Sequence, residues 1–163
     1  MATRNPSLTL RRGGPEDATA MAEIWESGWR DGHVGLVPEE LAEVRTEQSF
    51  RDRATERVGE ATVAVVEGAV AGFVIVADDE VEQVYVSAAH RGTGVAHALL
   101  EGAELQVRAN GYESGWLAVV AGNARARAFY EREGWRDDGP FAYAAATEHG
   151  PIVVPCRRYT KRV

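Results

Sequence analysis

Gln83-Val84-Tyr85-Val86-Ser87-Ala88-Ala89-His90-Arg91-Gly92-Thr93-Gly94-Val95-Ala96-His97 passes from a β-rich run through a glycine-bearing loop into a helical pattern, and its reading decides the fold. Val95, Ala98, Leu99, Gly102 and Leu105 mark one face of the helix that follows, which stops near Asn110-Gly111. A strand that feeds a helix start presents consecutive backbone N–H groups, a ready anion site whose expected guest is a phosphate. Gly92 and Gly94 permit unusual backbone angles and remove side chains, so a pyrophosphate can approach the amides of Gly92 through Ala96. Taken alone, Gly-x-Gly also fits a plain strand-to-helix turn with no ligand.

Upstream, Ala61 to Val66, Val70 to Ala77 and Glu80 to Ser87 are β-rich runs separated by turn residues, the pattern of a meander. Leu8 and Leu10 alternate with polar neighbours as in a short strand, and Glu16 and Asp17 after Gly13-Gly14-Pro15 suit a helix start. Ala18, Met21, Ala22, Trp25 and Trp29 follow at helical spacing, Arg30 to Pro38 reads as a loop, and Glu39 to Val58 as a second helical region with a break near Thr46. Downstream, Trp116 to Val120 reads as a strand, Asn123 caps a short helix from Ala124 to Glu133, and Gly134 ends it. Trp135 onward and Ile152 to Tyr159 supply two last strands around a polar excursion. Hairpins with one β-α-β crossover predict an α/β fold: a mixed, mostly antiparallel central sheet, a central β-loop-α unit and flanking helices.

No repeat or linker-like tract divides residues 1–163, so a single domain is expected, large enough to bury roughly two-thirds of its unfolded surface. The 45% apolar and 26% charged content is that of a folded globular protein. Eighteen Lys and Arg against 25 Asp and Glu give a net charge of −7, which argues against nucleic acid and anionic membranes as partners. Ala61 to Ala77 is mostly apolar, but it is too short to span a bilayer and is broken by Glu67-Gly68 and Gly72. Met1 to Arg12 lacks the apolar core of a signal peptide, and the lone Cys156 allows no intrachain disulfide, so a cytoplasmic location is expected. Cys156 reads as a small buried hydrophobe, and His90, His97 and His149 share no ligand spacing, so no metal is expected.

Three nucleotide-binding patterns compete for the loop. A Walker A loop needs Lys and Ser or Thr after its last glycine, where Val95 and Ala96 stand. A dinucleotide fingerprint wants a small residue where His97 stands, and places its loop in the first β-α turn, whereas several strands come first here. Arg91-Gly92-Thr93-Gly94-Val95-Ala96 instead resembles the Arg/Gln-x-x-Gly-x-Gly/Ala signature of the GNAT superfamily of acyl-CoA-dependent N-acyltransferases, with Val84-Tyr85-Val86 similar to that family's fourth strand. A second block agrees. Asn123, then Ala124 to Ala128 and Phe129-Tyr130-Glu131-Arg132-Glu133-Gly134-Trp135 resemble the family's Asn-x-x-Ala-x-x-Phe-Tyr-x-x-x-Gly-Phe pattern. The departures are Arg127 at a small position and Trp135 in place of Phe; the resemblance is specific from Val84 to Trp135.

The resemblance implies an N-acetyltransferase that moves an acetyl group from acetyl-CoA to a primary amine by direct attack through a tetrahedral intermediate. It implies a cofactor site formed by Val84, Tyr85, Val86, Arg91, Gly92, Thr93, Gly94, Val95, Ala96, Asn123 and Tyr130. The backbone N–H matching Val86 would polarise the thioester carbonyl, and one such oxyanion donor is worth about 3 kcal/mol. Tyr130 matches the family's general acid toward the departing thiolate, and Asn123 its contact to the pantetheine arm as well as a helix cap. A base is needed because an alkylammonium with pKa ~10 is about 99.9% protonated at neutral pH. Glu80 and Glu82 precede Val86 at even separations, so in a regular strand all three face one side; Glu82 is the first choice of base, and a bulge would change the parity.

In similar proteins the first helices and the last hairpin select the acceptor. Here they carry Trp25, Trp29, Asp31, His33, Phe50 and Tyr143, of which His33, Trp29 and Tyr143 are the candidate substrate-binding residues. An aromatic site with carboxylates would suit a cationic amine, small-molecule or peptide, and the negative surface would favour its approach. The resemblance leaves a homodimer open. Two other functions compete: a non-catalytic acyl-CoA sensor or partner-binding module, which an acceptor screen would exclude, and an NAD-dependent oxidoreductase, which a melting shift with NAD rather than acetyl-CoA would support.

Overall fold

A computed structural model describes residues 7–163; the first six residues of the Met1–Arg12 reading lie outside it. Leu8–Arg12 forms β1, and after a 3-10 turn at Pro15–Asp17 the chain enters α1 (Ala18–His33), α2 (Glu39–Val44) and α3 (Glu47–Arg57). The expected meander follows as β2 (Ala61–Val66), β3 (Ala69–Ala77) and β4 (Glu80–Val86), then α4 (Val95–Ala109), β5 (Ser114–Val120), α5 (Ala124–Arg132), β6 (Arg136–Ala145) and β7 (Ile152–Arg162). Glu67 and Gly68 turn between β2 and β3 with φ of 50° and 81°, the double left-handed geometry of a tight hairpin.

The seven strands form one sheet in the order β1-β2-β3-β4-β5-β7-β6. Only the β4–β5 pair is parallel, joined through α4, so the mixed, mostly antiparallel sheet expected from the sequence is what forms. Each face has its own core. On one side α1, α2 and α3 pack Trp25, Leu41 and Phe50 against Phe73 and Ile75; on the other α4 packs Val95, Leu99 and Leu100 against Val74, Leu117 and Tyr159. No helix among the described residues is long and apolar enough to cross a membrane.

Two expectations are corrected. The buried stripe of α4 is Val95, Leu99, Leu100, Ala103 and Val107, while Leu105 is 57% exposed. The loop predicted from Arg30 is helical to His33, because Gly32 does not stop α1. Gly28 and Gly32, one turn apart, are contact points: a Cβ on Gly28 would lie 2.5 Å from the Tyr85 ring, and one on Gly32 would lie 2.7 Å from the Asn123 amide nitrogen. Their missing side chains let α1 lie directly over β4 and the start of α5.

Candidate active site

β4 and β5 share a single registered pair, Glu80 with Trp116, reinforced by the Trp116 N–H donating to the Asp79 carbonyl at 3.0 Å. Beyond that pair the strands part, and the opening between them belongs to a cleft of about 1190 Å3 lined from Gly28 on α1 to Cys156 on β7. Sites for one drug-sized ligand run to about 300–1,000 Å3, so this cleft has room for two reactants side by side.

One wall is an edge of β4. The Ser87 N–H donates to the Ala71 carbonyl at 2.8 Å, so the neighbouring Gly72–Val86 pair is of the non-hydrogen-bonded kind. The Val86 N–H therefore points away from β3, into the opening left by β5. The Val84 N–H, two residues back in the same register, does likewise.

At the end of β4, Ala88–His90 makes a 3-10 turn and Gly92 and Gly94 take φ of 74° and 88°. A Cβ on either glycine would meet nothing within 4 Å, so the space in front of the loop is open. The first hydrogen bond of α4 runs from the Ala98 N–H to the Gly94 carbonyl (3.1 Å), which leaves the amides of Val95, Ala96 and His97 without helical acceptors. These donors and this open space fit a phosphate. The Arg91 side chain turns away to pair with Asp31 of α1 at 2.6 Å, and Thr93 Oγ1 donates to the His90 carbonyl, so the loop is fixed from behind by its own side chains.

Asn123 caps α5 as expected, its Oδ1 accepting from the Ala126 N–H at 3.2 Å while its Nδ2 faces Gly32. Arg127, a departure from the motif, is a strut: it donates to the Ala121 carbonyl (3.1 Å), the Tyr159 hydroxyl (3.2 Å) and Asp137 (3.2 Å), tying α5 to β6 and β7. Tyr130 sits between Phe129, Trp135 and Tyr159, and its hydroxyl has no protein partner among the described residues. Burial pushes its ionisation well above the ordinary phenol value, so the proton stays on oxygen.

The even-spacing argument for Glu80, Glu82 and Val86 fails. Ile75 pairs with Gln83 but Val76 pairs with Val81, so Glu82 is the extra residue of a bulge. Glu80 opposite Ala77 is thereby placed on the α1–α3 side with Tyr85, whereas Val84 and Val86 pack toward α4. Glu82 is held by a two-pronged bond from Arg57 (2.5 and 3.0 Å), which also reaches Glu60. Glu80 accepts from the Tyr143 hydroxyl at 2.9 Å. Burial raises the Glu80 pKa above the ordinary carboxylate value, and the Tyr143 hydrogen bond offsets part of that rise.

Trp25 and Phe50 are core residues, 0% and 1% exposed. Trp29 is also buried, but it lines the cleft and stacks on His33 with ring centroids 4.9 Å apart and planes 7° from parallel. The His33 Nδ1 lies 2.8 Å from the Trp29 carbonyl, which fixes the proton on Nδ1 and leaves Nε2 as an acceptor toward the cleft. Burial lowers the His33 pKa to about 4, and the Arg45 charge acts in the same direction. The unfolded chain therefore takes up a proton that the folded one refuses. Folding stability attributable to this residue is intact above about pH 6.5 and falls by about 3 kcal/mol as the pH drops to about 4. Urea titrations at pH 7, 6, 5 and 4 are expected to show this fall in the wild type and a flatter profile in His33→Asn; equal slopes would assign the acid sensitivity elsewhere.

Sequence reasoning missed Arg45, Arg53 and Arg57, which line the α2–α3 side of the cleft. Their helical stretch carries no motif, and only the fold brings them to β4. Among the described residues no group of three His, Cys, Asp or Glu is placed to hold a metal ion.

The sequence profile of the acetyltransferase (GNAT) family matches residues 19–135. The chain belongs to the GNAT acetyltransferase family. No curated protein sequence matches it. Solved structures similar to this GNAT acetyltransferase include the PaiA N-acetyltransferase of Thermoplasma acidophilum in complex with coenzyme A, 18% identical with a TM-score of 0.74 over 96% of this chain and 99% of that one. A GNAT superfamily phosphinothricin acetyltransferase of Sinorhizobium meliloti in complex with acetyl-CoA is 21% identical, with a TM-score of 0.68 over 96% and 89% of the two chains. An N-acetyltransferase of Staphylococcus aureus Mu50 is 17% identical, with a TM-score of 0.70 over 95% and 98%. At these identities the GNAT acetyltransferase and its neighbours share a fold.

Proposed function

We propose that this GNAT acetyltransferase binds acetyl-CoA in the β4–β5 opening and transfers its acetyl group to a primary amine by direct attack, within the cytoplasm. The observation that carries this reading is the Val86 N–H, which the β3–β4 register aims into an opening that ends at the free amides of α4. The loop and helix amides from Gly92 to Ala96 would hold the phosphates by backbone donors alone, which reconciles an anionic ligand with a net charge of −7. Asn123 would meet the pantetheine arm.

Acetyl-CoA supplies an activated acyl group and a thiol leaving group. As the new C–N bond forms and the C–S bond breaks, the ammonium nitrogen gives up two protons, one to a base and one that ends on the thiol. Glu80 is the proposed base in place of Glu82: it forms no salt bridge among the described residues, carries a raised pKa and is oriented by Tyr143. The Glu82 carboxylate is committed to Arg57. Tyr130 holds its proton and has no competing partner among the described residues, as an acid toward the thiolate requires. His33, Trp29 and Tyr143 would contact the acceptor.

The test is release of free thiol from acetyl-CoA in the presence of a panel of primary amines. Amine-dependent release supports the reading. A melting shift with acetyl-CoA but no release with any amine supports a binding module instead.

A further inference from the structure

The cleft has cationic donors on its α2–α3 side that form no ion pair with a carboxylate among the described residues. Arg57 is neutralised by Glu82 and Glu60. Arg45, only 6% exposed, gives one Nη to the Ala146 carbonyl (2.7 Å), and its buried Nε has no partner among the described residues. The Arg53 guanidinium lies over the Trp25 ring, 4.2 Å from its centroid, with a buried Nη1 that also has no partner among the described residues.

Burial lowers the pKa of both arginines, that of Arg53 to about 10 with Arg45 adding like-charge repulsion; burial also keeps the Tyr85 hydroxyl protonated, although both arginine charges act the other way. Two guanidiniums and a phenol thus share one region of the cleft. The carboxylates of the cleft are elsewhere or committed: Glu80 to Tyr143, Glu82 to Arg57, Glu133 to His97, and Glu43, Asp52, Glu56 and Glu148 exposed. Unsatisfied buried cationic donors are costly, and an anion that accepts from them recovers that cost.

We propose that the acetyl acceptor is an amine that also bears a carboxylate, and that Arg53 and Arg45, with the Tyr85 hydroxyl, hold that carboxylate. This rests on the acetyl transfer proposed above and names its substrate class.

The experiment follows thiol release from acetyl-CoA with the common L-amino acids, their carboxamides and the corresponding decarboxylated amines. The best amino acid is expected to exceed its amide and its amine by about 100-fold in kcat/KM, the scale of a lost charged hydrogen bond in a built site. Arg53→Met, which keeps Trp25 covered, is expected to lower that value about 100-fold through KM while leaving the amide and amine unchanged, with partial recovery in Arg53→Lys. Dipeptides with free C-termini form a further arm, and a preference for them assigns the carboxylate to a peptide terminus.

Turnover of amides and amines as fast as the acids overturns the inference and leaves acetyl transfer standing, as does an equal loss on all substrates in a folded Arg53→Met. If no compound releases thiol, acetyl transfer itself fails. The anion site is then judged by calorimetric titration of the amino acids into the acetyl-CoA-saturated protein: binding weakened in Arg53→Met supports it, and absence of binding overturns it.

Discussion

Tyr130→Phe is expected to lower kcat about 100- to 1000-fold, equivalent to about 3–4 kcal/mol of barrier, with KM for acetyl-CoA changed less than about twofold. The substitution removes one oxygen and one proton and keeps the ring that packs against Phe129, Trp135 and Tyr159. Because the hydroxyl makes no protein hydrogen bond among the described residues, its loss orphans no buried donor or acceptor, and the variant's melting temperature should stay within a few degrees of wild type. A loss confined to kcat is the mark of an interaction made in the transition state alone. Substrates whose thiol leaving group is more acidic need less help, so the deficit should shrink with them. Full turnover in the variant would take Tyr130 out of the mechanism.

Glu80→Gln carries the second large effect. A carboxylate that accepts a proton works only when ionised, so wild-type kcat/KM should fall as the pH drops through the Glu80 pKa, which burial sets above the ordinary value. In Glu80→Gln that acid limb should vanish, and the rate near neutrality should drop about 100-fold and rise with pH as free amine becomes available. Tyr143→Phe gives the complementary result. Removing the hydroxyl that donates to Glu80 at 2.9 Å leaves the carboxylate less stabilised, so the acid limb should move to higher pH with the plateau largely kept. Glu82→Gln provides the contrast: it frees Arg57, costs stability and removes a negative charge that helps to raise the Glu80 pKa, so the acid limb should survive and move to lower pH. If Glu82→Gln abolishes the limb and Glu80→Gln does not, the two roles are reversed.

The fold was legible because its signals are local. Glu67-Gly68 dictates a hairpin whatever lies around it, Asn123 and Gly134 bound a helix by capping alone, and the alternating strands need only their own pattern. The glycine loop was legible for the same reason, since Gly92 and Gly94 adopt left-handed angles that few other residues tolerate. What was not legible depends on pairing across the sheet or packing between helices. The bulge at Glu82 appears only when β4 is laid against β3, and it undid a parity argument sound for a regular strand. Leu105 fits a helical stripe on paper, but α4 turns it outward because the stripe through Leu100 and Val107 meets the sheet. Gly32 reads as a helix stop in isolation and acts as a point of close approach to Asn123. Arg45 and Arg53 carry no pattern and acquire meaning from the β4 residues opposite them.

The single registered pair between β4 and β5 has a mechanical consequence. A seven-stranded sheet fastened at one rung in its middle, Glu80 with Trp116, has its hydrogen-bond ladder divided into two plates, one carrying β1–β4 and the other β5, β7 and β6, with α4 packed across both. Hydrogen exchange should report that jointedness: the Val84 and Val86 amides, which face the gap, should exchange faster than the Tyr85 amide, which is turned toward β3, and a ligand that bridges the plates should slow them together.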